Sequence, residues 1–110
     1  MLLTTRESGS TTILDLRGAL MIGDSELAFR QKIKELLDSG GRNFAINLSG
    51  VPDMDSWGVG ALVRHSTRVR KAGGRCIFFG AVPRVLHVLK MAKLDSVLDL
   101  AETESEALSR

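Results

Sequence analysis

The feature that most constrains this chain is a hydrophobic period that switches repeatedly between two values. Apolar residues alternate with a period of two in Thr11-Thr12-Ile13-Leu14-Asp15-Leu16-Arg17, and short apolar runs return at Phe44-Ala45-Ile46-Asn47-Leu48 and Cys76-Ile77-Phe78-Phe79. These segments predict strands, because successive side chains of an extended chain point to opposite faces. Leu2 to Thr5 is an expected edge strand paired with 11–17, and Ser96-Val97-Leu98-Asp99-Leu100 an expected last strand. Between them the spacing becomes helical. Asp24 or Ser25 can cap a first helix whose inner face is Phe29, Ile33, Leu36 and Leu37, stopped by Ser39-Gly40-Gly41. Ser56 can cap a second, with Val59, Leu62, Val63, Ser66 and Val69 as its inner stripe and Gly73-Gly74 after it. Arg64, Thr67, Arg68 and Lys71 lie on its outer side, while Arg70 sits in the last turn, where its charge suits the helix dipole. Pro83 opens a third helix carrying Val85, Leu86 and Leu89, and Thr103-Glu104-Ser105-Glu106 has the spacing of a capping box for a fourth. Strands joined through helices cross over right-handedly and run parallel, so the expected sheet is mixed, parallel in its later strands.

A chain of 110 residues, 44% apolar and 25% charged, builds one core, and residues 1–110 are expected to form a single domain. No apolar run approaches the roughly 18 residues of a membrane span, and Met1-Leu2-Leu3-Thr4-Thr5-Arg6 lacks the apolar stretch of a secretory signal, so a cytoplasmic protein without membrane insertion is expected. The single cysteine, Cys76, has no partner for an internal disulfide or a thiolate metal site and is expected to pack as a small buried side chain.

The one dense cluster of functional residue types is Pro52-Asp53-Met54-Asp55-Ser56-Trp57-Gly58-Val59-Gly60, between a strand and a helix. As a nucleophile elbow it fails, because Met54 stands where glycine is needed two positions before Ser56. His65 lies two turns further along the same helix and His87 among apolar neighbours, and neither has a second ligand at metal spacing, so both are expected at the surface or partly packed. Gly58-Val59-Gly60 meets Val63 where a dinucleotide fingerprint wants its third glycine, and Gly73-Gly74-Arg75 lacks the Lys-Ser/Thr pair of a phosphate loop. No cofactor and no metal is therefore expected, and the two glycines are expected to allow close packing of the first helical turn. Ser56 alone reads as a helix cap. The acids Asp53 and Asp55 and the only tryptophan, Trp57, beside that hydroxyl open a functional reading as well.

Net charge is only +2, yet its distribution is uneven. From Ser56 through Leu94 there is no Asp or Glu, while Arg64, Arg68, Arg70, Lys71, Arg75, Arg84, Lys90 and Lys93 supply eight positive charges; the remainder holds seven basic residues against 13 acidic, a net of −6. Aromatic interleaving is absent and the helix bearing Arg64 has no Asn or Gln for base edges, which argues against direct nucleic-acid binding and for an acidic protein partner or a solvated face.

The run Ile46-Asn47-Leu48-Ser49-Gly50-Val51-Pro52-Asp53-Met54-Asp55-Ser56-Trp57-Gly58-Val59-Gly60-Ala61-Leu62 resembles the signature of STAS domains, especially the bacterial anti-sigma factor antagonists. The likeness continues through Lys71-Ala72-Gly73-Gly74-Arg75, the Pro83 helix and Leu94-Asp95-Ser96-Val97-Leu98. It implies an α/β fold, a STAS-like mixed sheet of four to five strands with about four helices packed mainly on one face. In that family the serine matching Ser56 accepts a phosphate, Asp55 matches the acid before it, and Gly58 and Leu62 match positions that seat the helix. Asp53, Met54, Asp55, Trp57, Gly58, Gly60 and Arg64 then become the expected partner-binding residues, with no catalytic residue in this chain.

The resemblance implies partner switching: the unphosphorylated antagonist binds an anti-sigma factor that is itself a serine kinase, a sigma factor is released, phosphorylation ends the binding and a PP2C-type phosphatase resets it. ATP and Mg²⁺ belong to the kinase. The chain departs from the family pattern at Trp57, where a small residue is usual, and at Met21-Ile22, where an acid usually follows Gly18-Ala19-Leu20. The alternative expectation is a non-switching STAS module, a scaffold in a signalling assembly or an accessory subunit of a membrane transporter.

Overall fold

The alternating segment Thr11–Arg17 forms the strand on which the sheet is built. A computed structural model describes residues 1–110 as β1 (Leu2–Ser8), β2 (Thr11–Arg17), α1 (Asp24–Asp38), β3 (Asn43–Gly50), α2 (Ser56–Lys71), β4 (Arg75–Phe79), α3 (Pro83–Met91), β5 (Asp99–Ala101) and α4 (Glu104–Ser109). The strands lie in sequence order in one sheet. β1 pairs antiparallel with β2 from Leu2 opposite Arg17 to Ser8 opposite Thr11, a hairpin turned at Gly9. Every later pair is parallel, as connections through helices require.

The period of two divides the strand side chains between two faces. Leu14, Leu16, Phe44, Ile46, Leu48, Cys76 and Phe78 meet Phe29 and Ile33 of α1, Leu62 and Val69 of α2, and Val85 and Leu89 of α3 in one buried cluster. On the opposite face Ile13, Ala45, Ile77 and Phe79 pack on Ala107 of α4. Three of the four helices thus share a face, the STAS-like arrangement of five strands and four helices. Burial pushes the Cys76 thiol up to about 12, so it is inert packing.

Five local expectations are corrected. α1 is capped by the backbone at Gly23, with no side-chain cap, because the Ser25 hydroxyl turns back to donate to the Met21 carbonyl and accept from the Met21 amide. α2 is capped by Asp55, which leaves Ser56 as its first residue. β5 begins at Asp99, not 96, since the preceding residues form a turn in which Val97 and Leu98 amides both donate to the Leu94 carbonyl. His65 is buried at 2% exposure, deeper than the surface or partly packed position expected. The buried stripe of α2 is Gly58, Ala61, Leu62, His65, Ser66 and Val69, with Val59 and Val63 only half-buried. This stripe is rotated from the expected one because the first turn presses on the segment after β2: a side chain at Gly58 would overlap the Leu20 carbonyl oxygen.

Candidate functional site

Two strand-to-helix connections meet at one end of the sheet. Gly18 donates to the Gly50 carbonyl (2.9 Å), Leu20 to the Asp53 carbonyl (3.1 Å), and Asp55 returns a bond to the Leu20 carbonyl (3.3 Å). Residues 18–22 thereby act as a short parallel extension beside 50–55, with Leu20 opposite Met54. Both those side chains are buried, so the extension belongs to the core and gives the corner a fixed backbone.

Asp55 closes the corner. Its Oδ1 accepts from the Gly58 amide and its Oδ2 from the Ile22 amide, each at 2.9 Å, one bond capping α2 and the other tying in the segment before α1. These amide bonds, Ile22 first and Gly58 next, hold its carboxyl below the usual carboxylate range. Asp53 caps its own turn by accepting from the Met54 amide at 2.9 Å, and Arg84 of α3 grips it with Nε 3.1 Å from Oδ1 and Nη2 3.1 Å from Oδ2. The guanidinium is the main reason the Asp53 carboxyl also sits low.

Ser56 follows directly on this fixed turn and is exposed. With the capping bond taken by Asp55, its hydroxyl is not committed to holding the helix. A shallow groove of about 430 Å³ opens beside it, lined by Met54, Val59, His87, Val88, Met91 and Ala92 together with Asp55 and Ser56. Apolar side chains stand unusually bare around it: Trp57 is 51% exposed, Ile22 60% and Met91 72%. Arg64 lies over Trp57, with its guanidinium carbon 5.5 Å from the ring centre, and reaches Glu26 of α1 at 3.2 Å.

The residues singled out in the sequence therefore separate into two sets. Ser56, Trp57 and Arg64 are exposed at the corner, and Asp53, Asp55 and Gly60 are partly so. Met54 and Gly58 are buried, which corrects their expected place as exposed contact residues: Met54 fills the core beneath the turn and forms only the floor of the groove, and Gly58 makes room for the Leu20 carbonyl. Arg84, Glu26, Ile22 and Met91 complete the site and were missed. Each reaches it across more than 25 residues of chain, where local spacing carries no signal, although the sequence does place Arg84 immediately after the helix-opening Pro83.

His65 does not serve Ser56. Its ring packs edge-on against Phe29 with centroids 4.7 Å apart, and neither ring nitrogen has a hydrogen-bond partner. Burial holds its pKa down at about 4. No three His, Cys, Asp or Glu side chains converge as metal ligands, and no helix is long and apolar enough to cross a membrane.

The fold has counterparts among known proteins. The STAS domain profile matches residues 3–107. A Thermotoga neapolitana homologue of an anti-sigma factor antagonist is 30% identical over 89 residues, which cover 81% of this chain and 79% of that protein. The crystal structure of a Thermotoga maritima anti-sigma factor antagonist superposes with a TM-score of 0.89 at 24% identity, covering 97% of this chain and 92% of that one. The anti-sigma factor antagonist SpoIIAA of Bacillus superposes at 0.74 in its unphosphorylated form, with 23% identity over 99% of this chain and 96% of that one. It superposes at 0.73 in its phosphorylated form, with 24% identity over 99% and 98%. A profile spanning nearly the whole length, together with the sequence relative, places this chain in the STAS domain family, among the anti-sigma factor antagonists.

Proposed function

We propose that this protein is a phosphorylation-controlled anti-sigma factor antagonist that acts in the cytoplasm by partner switching. In its unphosphorylated form it binds an anti-sigma factor that is also a serine kinase and so frees a sigma factor. The kinase then transfers the γ-phosphoryl group of ATP to Ser56 Oγ: the new P–O bond forms at the hydroxyl oxygen, its proton is lost, and ADP leaves. ATP and Mg²⁺ are held by the kinase, and this chain supplies the acceptor. A PP2C-type phosphatase hydrolyses the ester and restores the binding form.

The observation that carries this reading is the position of Ser56, exposed at the first residue of α2 on a turn that Asp55 caps without it. Modification there leaves the cap bond intact, and a helix N-terminus tolerates added negative charge, so the phosphorylated chain stays folded. Docking is another matter. A phosphoserine adds roughly 1.5 to 2 negative charges at neutral pH to a surface already carrying Asp53 and Asp55, amid bare apolar groups that bind by losing water. Arg84 is already engaged by Asp53 and does not neutralise the new charge. That SpoIIAA, with the same fold, exists in phosphorylated and unphosphorylated forms supports the reading.

Intact-mass measurement after incubation with the candidate anti-sigma kinase and Mg-ATP tests it. One added phosphate is expected, absent from Ser56→Ala. A wild-type chain that binds the kinase and gains no phosphate, or gains it equally in Ser56→Ala, refutes the Ser56 switch and leaves the non-switching module.

A further inference from the structure

The Arg64 guanidinium is held between two side chains, Trp57 and Glu26. Side chains on a helix lean toward its N-terminus, and Arg64 extends back along α2 until it lies over the Trp57 ring, two turns earlier. Its Nη2 meets Glu26 Oε1 at 3.2 Å, and Glu26 is itself buried on α1 at 8% exposure. Between Trp57 and Arg64 on the same helix face stands Gly60, where a methyl group would come within 2.9 Å of Arg64 Nη1. Glycine thus leaves the guanidinium room to pass over the helix at this point. A tryptophan half-exposed at a docking corner would otherwise swing freely, and ordering it on binding would cost affinity.

We propose that Glu26, Arg64 and Trp57 form a brace in which Arg64 is a positioning residue for the indole. The braced Trp57 anchors the anti-sigma factor by entering an apolar pocket with an acidic rim. This rests on the docking function proposed for the Ser56 corner. The pocket is apolar because the free part of the ring, half-exposed, is bare hydrocarbon surface. The rim is acidic because Arg64, Arg68 and Lys71 continue from Trp57 along the exposed side of α2, which carries no acid from Ser56 to Lys71.

Time-resolved fluorescence anisotropy of Trp57, the sole tryptophan, reads the brace in the free chain. Arg64→Ala is expected to speed the nanosecond motion of the indole and to raise its quenching by acrylamide. Gly60→Ala is expected to act in the same direction by displacing the guanidinium while every charge is kept, and Arg64→Lys only partly preserves the brace, since an ammonium has no plane to stack. Ser56→Ala leaves both signals unchanged. Wild-type anisotropy decay in Arg64→Ala and Gly60→Ala overturns the brace.

Titration against the anti-sigma factor reads the anchor. Trp57→Ala is expected to weaken binding by about 30-fold or more, and Arg64→Ala by about three- to tenfold. Affinity is expected to fall with added salt. Wild-type affinity in Trp57→Ala overturns the anchor, and indifference to salt overturns the acidic rim. A wild-type chain that binds no anti-sigma factor overturns the docking function and the anchor together, while the anisotropy still decides the brace.

Discussion

The chain turns from strand into helix at two adjoining corners, and it builds them by opposite means. The corner after β2 relies on backbone freedom: Gly18 and Gly23 hold φ at 110° and 106°, and α1 starts without a side-chain cap. The corner after β3 contains no residue with positive φ and relies on side chains, with Asp53 held by Arg84 and Asp55 capping α2. Asp55 also reaches across to the Ile22 amide, so the side-chain corner stabilises the glycine corner. The difference teaches that Ser56 is presented by its neighbours and contributes nothing to the turn that presents it, which is what a modifiable residue requires.

Gly58, where the two corners touch, is the position least tolerant of change. An alanine there would gain about 1 kcal/mol of helix propensity but overlap the Leu20 carbonyl oxygen, which the Asp55 amide holds in place. Net destabilisation of about 2 kcal/mol is expected, visible as a fall in Tm of roughly 8 °C or more in a thermal melt. Asp55→Ala comes next, with a Tm lower by a few degrees, because two amides, one at each corner, lose their acceptor. The sign with pH follows from the lowered carboxyl. The stabilisation is complete above the unfolded pKa of 3.8 and is lost as pH falls through the still lower folded value. Asp55→Ala should therefore flatten the acid limb of the stability profile measured by denaturant titration.

Further along α2 the contrast sharpens between a first turn open to solvent and a third turn sealed against α1. His65→Phe keeps an aromatic edge against Phe29 and removes two buried nitrogens that lack partners, so a gain of about 1 kcal/mol at neutral pH is expected. In the wild type the unfolded ring takes up its proton near 6.5 and the folded ring only near 4. Stability therefore declines as pH drops from about 6.5 toward about 4, and the variant should lose that slope. Smallest of all is Ser56→Ala, expected to change stability by less than about 0.5 kcal/mol, as for an exposed residue outside the cap. A large loss in that variant would mean that the hydroxyl does hold the turn.

What the sequence disclosed follows the range of the forces involved. Strand β2, the Gly73-Gly74 stop, Pro83 at the head of α3 and the Thr103 cap that accepts from the Glu106 amide are set within a few residues, and all were legible. Asp55 and Ser56 are both good caps, and the choice between them is tied to the Ile22 amide, 33 residues away. His65 has a polar ring and reads as a surface or partly packed residue, yet a neutral imidazole packs fully against Phe29 once α1 and α2 close. The ion pairs Arg84 with Asp53 and Arg64 with Glu26 join elements that no spacing rule connects. The cluster at 52–60 was identifiable as the site because its residue types are dense in chemistry; which of them face outward was decided by packing around Leu20.

The most direct test is the affinity of the anti-sigma factor for two preparations of this chain, one unmodified and one carrying a single phosphate on Ser56, each checked for native folding. Both are expected to be folded, with the phosphate weakening binding by about 30-fold or more, as burying an unmatched charge demands. Equal affinity for the two forms, with the phosphate verified in the complex, would contradict the Ser56 switch.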